Sequence, residues 1–488
     1  MTIDLKPFIR SGQPKYLAIG NALSEAINVG ALQPGSKLPT HRELAETLGV
    51  SVQTVSNAYA YAEKQGAIYA QVGSGTFVRS RHVSHESDYL STDEHEDPNR
   101  GIDLSTAHPV CSQRHVKLYR EGLARLAVEG RDDFITSFHP TQGLTQHREV
   151  VCTWLAQQKM PANPDHMLFC NGAAHALTIA MATVLKPGDT VLCERETCML
   201  LLALAQTLHF NLKGLATDDR GLLPEALDAA CRQGGAKVLF CTPTMNNPTS
   251  DTMDLERRQA IAELARRHDL TVVEDDVYGA LQPDRTPPLS ALIPERSFYA
   301  TSLTKVTLPG MRAGYLITPP QLVQQAIGRL RSTTWMATLM PFEIASWWMQ
   351  DGTLDRMIAF QQQELAARQL MAGELLTACR YKAHPNGMHI WAELPPHWQP
   401  EKFARRARQE GVMIFPAEPF LATADRNNPH VRISLGAEQS RSRVQAGLAT
   451  LNGLIDETPP PCISCSKPRH RPIHSPYKWI FVLSQIMH

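Results

Sequence analysis

From about Gly101 to residue 455 the chain repeats one alternation: a short β-branched or apolar run ending in polar residues, then a stretch of helical length. "TVLCE", "AKVLFCTP" and "LTVVEDD" are such runs, and "MDLERRQAIAELARRHD" is one of the stretches between them. The pattern predicts an α/β fold, a parallel sheet with helices on both faces, because parallel strands need a long crossover to return the chain. In open sheets of this kind ligands collect at the carboxyl ends of the strands. The chemistry is therefore expected just after each apolar run. With 488 residues, 43% of them hydrophobic, the chain can bury a large core and form more than one domain.

The residues after those runs are informative. "HMLFC" is followed by "NGAAHALTIAMATVL", where Gly172 permits close backbone approach and the helix that follows presents free N–H groups to an anion such as phosphate. "KVLFC" leads to Asn247 and Pro248, and "LTVV" leads to Asp275 and Tyr278. "SLTKVTLPGMRAGY" sets Lys305 among hydroxyls, with Arg312 beyond a Pro-Gly turn and apolar runs on both flanks. A lysine so placed is expected to be partly buried, and a buried ammonium needs a salt bridge or amine chemistry such as Schiff-base formation. "HVRISLG" puts Arg432 on a strand.

These residue types, in this order, resemble the fold-type I, aspartate-aminotransferase-like domain over roughly residues 101–455. The resemblance implies pyridoxal 5'-phosphate as cofactor. It implies that Lys305 forms the internal aldimine and that Asp275 pairs with the protonated pyridine nitrogen. Asn247 and Tyr278 would bond the phenolic oxygen. Ser302, Arg312 and the helix start at Gly172 and Ala173 would hold the phosphate. Arg432 would bind a ligand carboxylate, bidentately for preference. Arg148 in "GLTQHREVV" matches a helix start of the family and is expected to be structural. One departure stands out. Where the family stacks an aromatic residue on the cofactor ring, "ERETCMLLL" has Cys198. That implies a weaker hold, a different ring tilt, or another aromatic in its place.

The first 82 residues follow different rules. Tyr16, Ile19, Leu23 and Ile27 recur at helical spacing. Thr40 and Glu43 make a capping-box pattern before "HRELAETLG", and Ser51 can cap "VQTVSNAYAYAEKQG". Two helices joined at a glycine, then "AIYAQVGSGTFV", read as a winged helix-turn-helix. The stretches "LQPGSKLPTHRELAETLGVS", "TVSNAYAYAEKQGAI" and "GSGTFV" resemble the DNA-binding domain of GntR-type bacterial regulators. Eight Lys/Arg against five Asp/Glu in residues 1–82 favour DNA only modestly, so affinity would need two copies. Ser51, Gln53, Thr54 and Asn57 are expected to face base edges, with Gln53 suited to adenine. Arg42 is expected at the phosphate backbone, and Gly73 and Ser74 at the tip of the wing. The family often has arginine where Val52 stands, so its usual contact at this point is not expected here.

Residues 83–101 read as an acidic flexible linker. They separate a DNA-binding domain (1–82) from an aminotransferase-like domain (102–455). Residues 456–488, rich in Pro, Ser and basic groups, read as a disordered tail. Cys462 and Cys465, with His470 and His474, form a lone C-x-x-C that is not expected to hold a metal. Ten scattered cysteines suit a reducing compartment, and no apolar run suits a signal peptide or a membrane span. A cytoplasmic location is expected. A GntR-type head on an aminotransferase-like domain is the arrangement of MocR-type regulators. It implies a homodimer that binds a double-stranded operator and senses a small amino compound through external-aldimine formation. A working aminotransferase with an accessory head is the alternative.

Overall fold

The computed structural model describes residues 5, 14–28, 32, 36–64, 67–71, 75–78, 101–423 and 428–457. Gly73 and Ser74, the linker up to residue 100, and the tail cysteines and histidines lie outside them.

The head comprises helices α1 (Lys15–Asn28), α2 (His41–Leu48) and α3 (Val52–Lys64), then strands β1 (Ile68–Gln71) and β2 (Gly75–Val78). Its start signals act locally. The Thr40 hydroxyl accepts the Glu43 N–H at 3.3 Å, and the Glu43 carboxylate accepts the Thr40 N–H at 2.7 Å. This closed box begins α2. Gly49 ends α2 in the left-handed region, at φ 63°, where a side chain would be strained. The Ser51 hydroxyl accepts the Thr54 N–H at 3.2 Å and opens α3. β1 and β2 pair antiparallel as the wing. Ile19 and Leu23 of α1 are buried against Val55 and Ala58 of α3. Tyr16, expected on the same apolar face, is instead 37% exposed, because it lies on the first turn of α1 at the margin of this core.

The large domain is built on seven strands: β3 (Met167–Asn171), β4 (Thr190–Glu194), β5 (Asn211–Leu215), β6 (Ala236–Cys241), β7 (Thr271–Asp275), β8 (Ser297–Ser302) and β9 (Ala313–Ile317). Their order is β3-β9-β8-β7-β6-β4-β5. Alternate side chains enter different cores, both covered. Met167 and Phe169 of β3 go one way, Leu168 and Cys170 the other. Burial on both faces makes these strands near-continuous apolar runs. The expectation of an all-parallel sheet needs correction. β9 runs antiparallel to both β8 and β3. The turn at Pro309–Met311 reverses the chain directly, with no crossover helix between β8 and β9.

A second, antiparallel sheet contains β10 (Arg380–Ala383), β11 (His389–Glu393), β12 (Phe415–Pro416) and β13 (His430–Ser434), in the order β10-β11-β13-β12. β13 carries Arg432, so this residue reaches the site from a different sheet from the one that supplies Asp275 and Lys305.

Candidate functional site

Lys305 closes a single 3-10 turn, Leu303–Lys305, that leaves the carboxyl end of β8. Its Nζ donates to the Ala107 carbonyl and lies 5.7 Å from the centre of the Tyr278 ring. Burial pushes its amine down to about 8, and the Arg432 and Arg312 charges push the same way while Asp275 opposes them.

Asp275 ends the neighbouring strand β7. Burial, reinforced by Asp276, pushes its carboxyl up to about 7. Its Oδ1 is buried without a hydrogen-bond partner among the described residues. A carboxylate oxygen held in this way suits a cationic N–H. Tyr278 is buried beside it, and burial raises its phenol far above the usual range. Cys198 precedes the helix Met199–Thr207, and its thiol is pushed up to about 12, by burial first and then by Asp275. It packs with Leu201 and Leu204. The departure seen in the sequence thus lies within electrostatic reach of Asp275.

Arg312 and Gly172 meet at the amino end of α4 (Ala173–Val184). Gly172 has φ 85° and ψ 170°, a region open only to glycine. A Cβ there would lie 2.4 Å from Arg312 Nη2. Arg312 donates to the Asn171 carbonyl at 3.0 Å, which holds the guanidinium over the helix start where Ala173 lies. Ser302, buried at the end of β8, pairs in register with Gly314. A guanidinium thus stands at a helix amino terminus, an arrangement whose charge and free N–H groups favour an anion.

Arg432 is almost wholly buried. Its Nη1 donates to Asn247 Oδ1 at 2.9 Å and its Nη2 to the Ser105 carbonyl at 2.5 Å. The guanidinium lies 4.6 Å from the Phe420 ring and 5.3 Å from Phe415. Burial pushes it down to about 10. Asn247 is therefore engaged through its oxygen and keeps its amide N–H groups for another acceptor. Arg148 stands apart from this group, bonded to Thr145 Oγ1 at 3.1 Å and to the Pro164 carbonyl.

Sequence reasoning missed several members. His389 on β11 is buried, its Nε2 3.2 Å from the Asn246 carbonyl and its ring 5.8 Å from that of Tyr278. Burial, with Arg432, pushes it down to about 3, so it is neutral at physiological pH. Within "GMHIWAEL" it looks like any core position, and only the packing of the second sheet places it. Glu194 ends β4 and is pushed up to about 7 by burial. The carbonyls of Ser105 and Ala107 carried no sequence signal at all.

On the head, Ser51, Gln53, Asn57 and Arg42 are exposed and Thr54 is partly so. Gln53 Nε2 donates to Asn57 Oδ1 at 3.0 Å, and the Ser51 and Thr54 hydroxyls lie 2.8 Å apart. Among the described residues no helix is long and apolar enough to cross a membrane, and no His/Cys/Asp/Glu group could hold a metal ion.

Comparison with known proteins gives two family matches. Residues 108–451 match the family described as aminotransferase class I and II, and residues 15–78 match the gntR family of bacterial regulatory proteins. YdeF of Bacillus subtilis, named an uncharacterized HTH-type transcriptional regulator, is 26% identical over 93% of this chain and 97% of its own length. YdcR of Escherichia coli, named in the same way, is 25% identical over 91% of this chain and 99% of its own. Among solved structures, the kynurenine aminotransferase of Pyrococcus horikoshii superposes with a TM-score of 0.69 at 25% identity, over 76% of this chain and 94% of that one. The α-aminoadipate aminotransferase of Thermus thermophilus, solved with N-(5'-phosphopyridoxyl)-L-leucine, gives 0.66 at 22% identity, over 73% of this chain and 92% of that one.

Proposed function

Because the chain belongs to the aminotransferase class I and II family and carries a gntR-family regulatory domain at its head, we propose that it is a MocR-type transcriptional regulator that senses an amino compound with bound pyridoxal 5'-phosphate. The relatives that align along nearly the whole chain are named as regulators, whereas an aromatic-amino-acid aminotransferase aligns with only 59% of it. This favours regulation over a working transaminase.

Pyridoxal phosphate, when bound, supplies an aldehyde that condenses with primary amines and a ring that withdraws electrons. In this reading Lys305 supplies the resident amine, already biased toward its neutral, nucleophilic form. The unpartnered Asp275 oxygen receives the ring N–H, and in doing so takes up a proton-bearing cation that favours its ionised form. The amide N–H of Asn247 and the hydroxyl of Tyr278 serve the phenolic oxygen. Arg312, Ser302 and the Gly172–Ala173 helix start hold the phosphate. Arg432 turns its guanidinium to the ligand carboxylate.

One observation carries the regulatory reading. Lys305 and Arg432, the two cations assigned to amine and carboxylate, both donate to carbonyls of one short segment, Ala107 and Ser105. That segment is where the chain enters the large domain from the head. A ligand that claims either cation changes how the segment is tied down. On this reading the pocket's occupant acts on the segment from which the linker to the head departs, and any coupling to DNA must be reciprocal. A homodimer completes the reading, with two heads on paired half-sites. Exposed apolar groups on the large domain, Phe138, Trp335, Met340 and Val128, are suited to a second copy.

The test is a titration of purified, cofactor-loaded protein with amino acids and amines, following the visible spectrum and operator affinity together. The reading expects at least one compound to shift both. A compound that shifts the spectrum fully and leaves affinity unchanged removes the sensor. Stoichiometric keto-acid formation would favour the enzyme instead.

A further inference from the structure

We infer that the first turn of α3 reads two adjacent A·T pairs, with Val52 on a thymine methyl and Gln53 on the neighbouring adenine. The inference rests on the DNA-binding reading and adds its base preference.

Val52 is the first residue of α3 and is 47% exposed, a large apolar side chain at the end of the helix that meets base edges. It has no donor or acceptor to offer. Guanine presents two acceptors in the major groove and cytosine an amine, and against Val52 either would lose its water and gain no partner. Thymine alone presents a methyl group there. Val52 therefore fits thymine and disfavours a G·C pair.

Gln53 is prepared for the next position. One N–H of its amide donates to Asn57 Oδ1 at 3.0 Å, one helical turn away. This bond fixes the plane of the amide. The second N–H and Oε1 remain for a base. A donor beside an acceptor matches adenine, whose N7 accepts and whose N6 donates. Guanine would set O6 against Oε1, acceptor on acceptor. Ser51 and Thr54, bonded to each other at 2.8 Å, are less available for base contact and hold the start of the helix. In these roles Val52 and Gln53 select the same class of pair.

The experiment uses the full-length, cofactor-loaded protein and a pool of randomised duplexes. The selected half-sites are expected to share a thymine next to an adenine. Replacing that thymine by deoxyuridine removes only the methyl group, and affinity should fall about fourfold. Val52→Ala should cause a similar loss and abolish the sensitivity to deoxyuridine. Val52→Arg should move the preference at that position to guanine. Gln53→Ala should cost roughly tenfold on the selected site and relax the adenine position. Both positions are exposed, so an unchanged melting temperature will confirm folded variants. A G·C consensus at these positions overturns the inference, as do methyl and Val52 losses that simply add. Salt-dependent binding with no base preference overturns it too but leaves DNA binding standing. Failure to bind any duplex would remove the DNA-binding reading itself.

Discussion

Asp275 holds its proton to about pH 7 without cofactor, because burial disfavours the carboxylate and Asp276 adds to the effect. Its unfolded value is about 3.9. A carboxyl raised on folding stabilises the fold fully below that value, and the contribution is lost as pH rises through about 7. Asp275→Asn cannot titrate. Its melting temperature relative to wild type should therefore climb between about pH 4 and pH 7, measured on cofactor-free protein. Adding pyridoxal phosphate above pH 7 should reverse the order, since only the carboxylate can pair with a ring cation. Lys305→Ala should retain no cofactor after borohydride reduction and denaturation, whereas wild type should keep it on the peptide that contains Lys305. These residues stood out in the sequence because each follows its own strand. Their pairings did not. Asn247 and Arg432 are 185 positions apart, and Lys305 and Ala107 are 198 apart. Nothing local to any of these four residues announces the other.

At the scale of elements, the reversal of β9 is decisive. An antiparallel strand brings its beginning, not its end, to the edge where its neighbours finish. Arg312, just ahead of β9, therefore lands beside Asn171 at the end of β3 and close to Lys305 after β8. A parallel β9 would have carried Arg312 to the far edge of the sheet. Periodicity cannot distinguish the two directions, since a strand buried on both faces looks the same either way. Gly172→Ala tests the proposed phosphate site. The backbone strain alone is about 1–3 kcal/mol, and the new methyl group displaces Arg312, so cofactor affinity should fall by roughly tenfold or more with the circular dichroism unchanged. In the head the signals were local and therefore legible. The Thr40–Glu43 box spans one turn, and Thr40→Ala should destabilise the head by about 1 kcal/mol. Faster amide exchange confined to α2 would register that loss.

For the whole molecule, the joining of a gntR-family head to an aminotransferase-family domain was visible as a change of period, from head helices and hairpin to alternating strand and helix. The second sheet was not, because its strands are short and its members are drawn from residues 380–434. Dimerisation can be tested on its exposed aromatics. Phe138 and Trp335 lie 5.6 Å apart, ring centre to ring centre, and are 80% and 53% exposed. Replacing both by serine should shift sedimentation from dimer to monomer and weaken operator binding more than it weakens cofactor binding. Persistence of the dimer would place its interface elsewhere.

The tie from Arg432 to Ser105 and Asn247 also orders events in time. The reading head is encoded first, and the pocket cannot be finished until residue 432 has left the ribosome. A chain cut short by a nonsense mutation before that point would carry the whole gntR-family head and lack the arginine that ties Ser105 and Asn247 together.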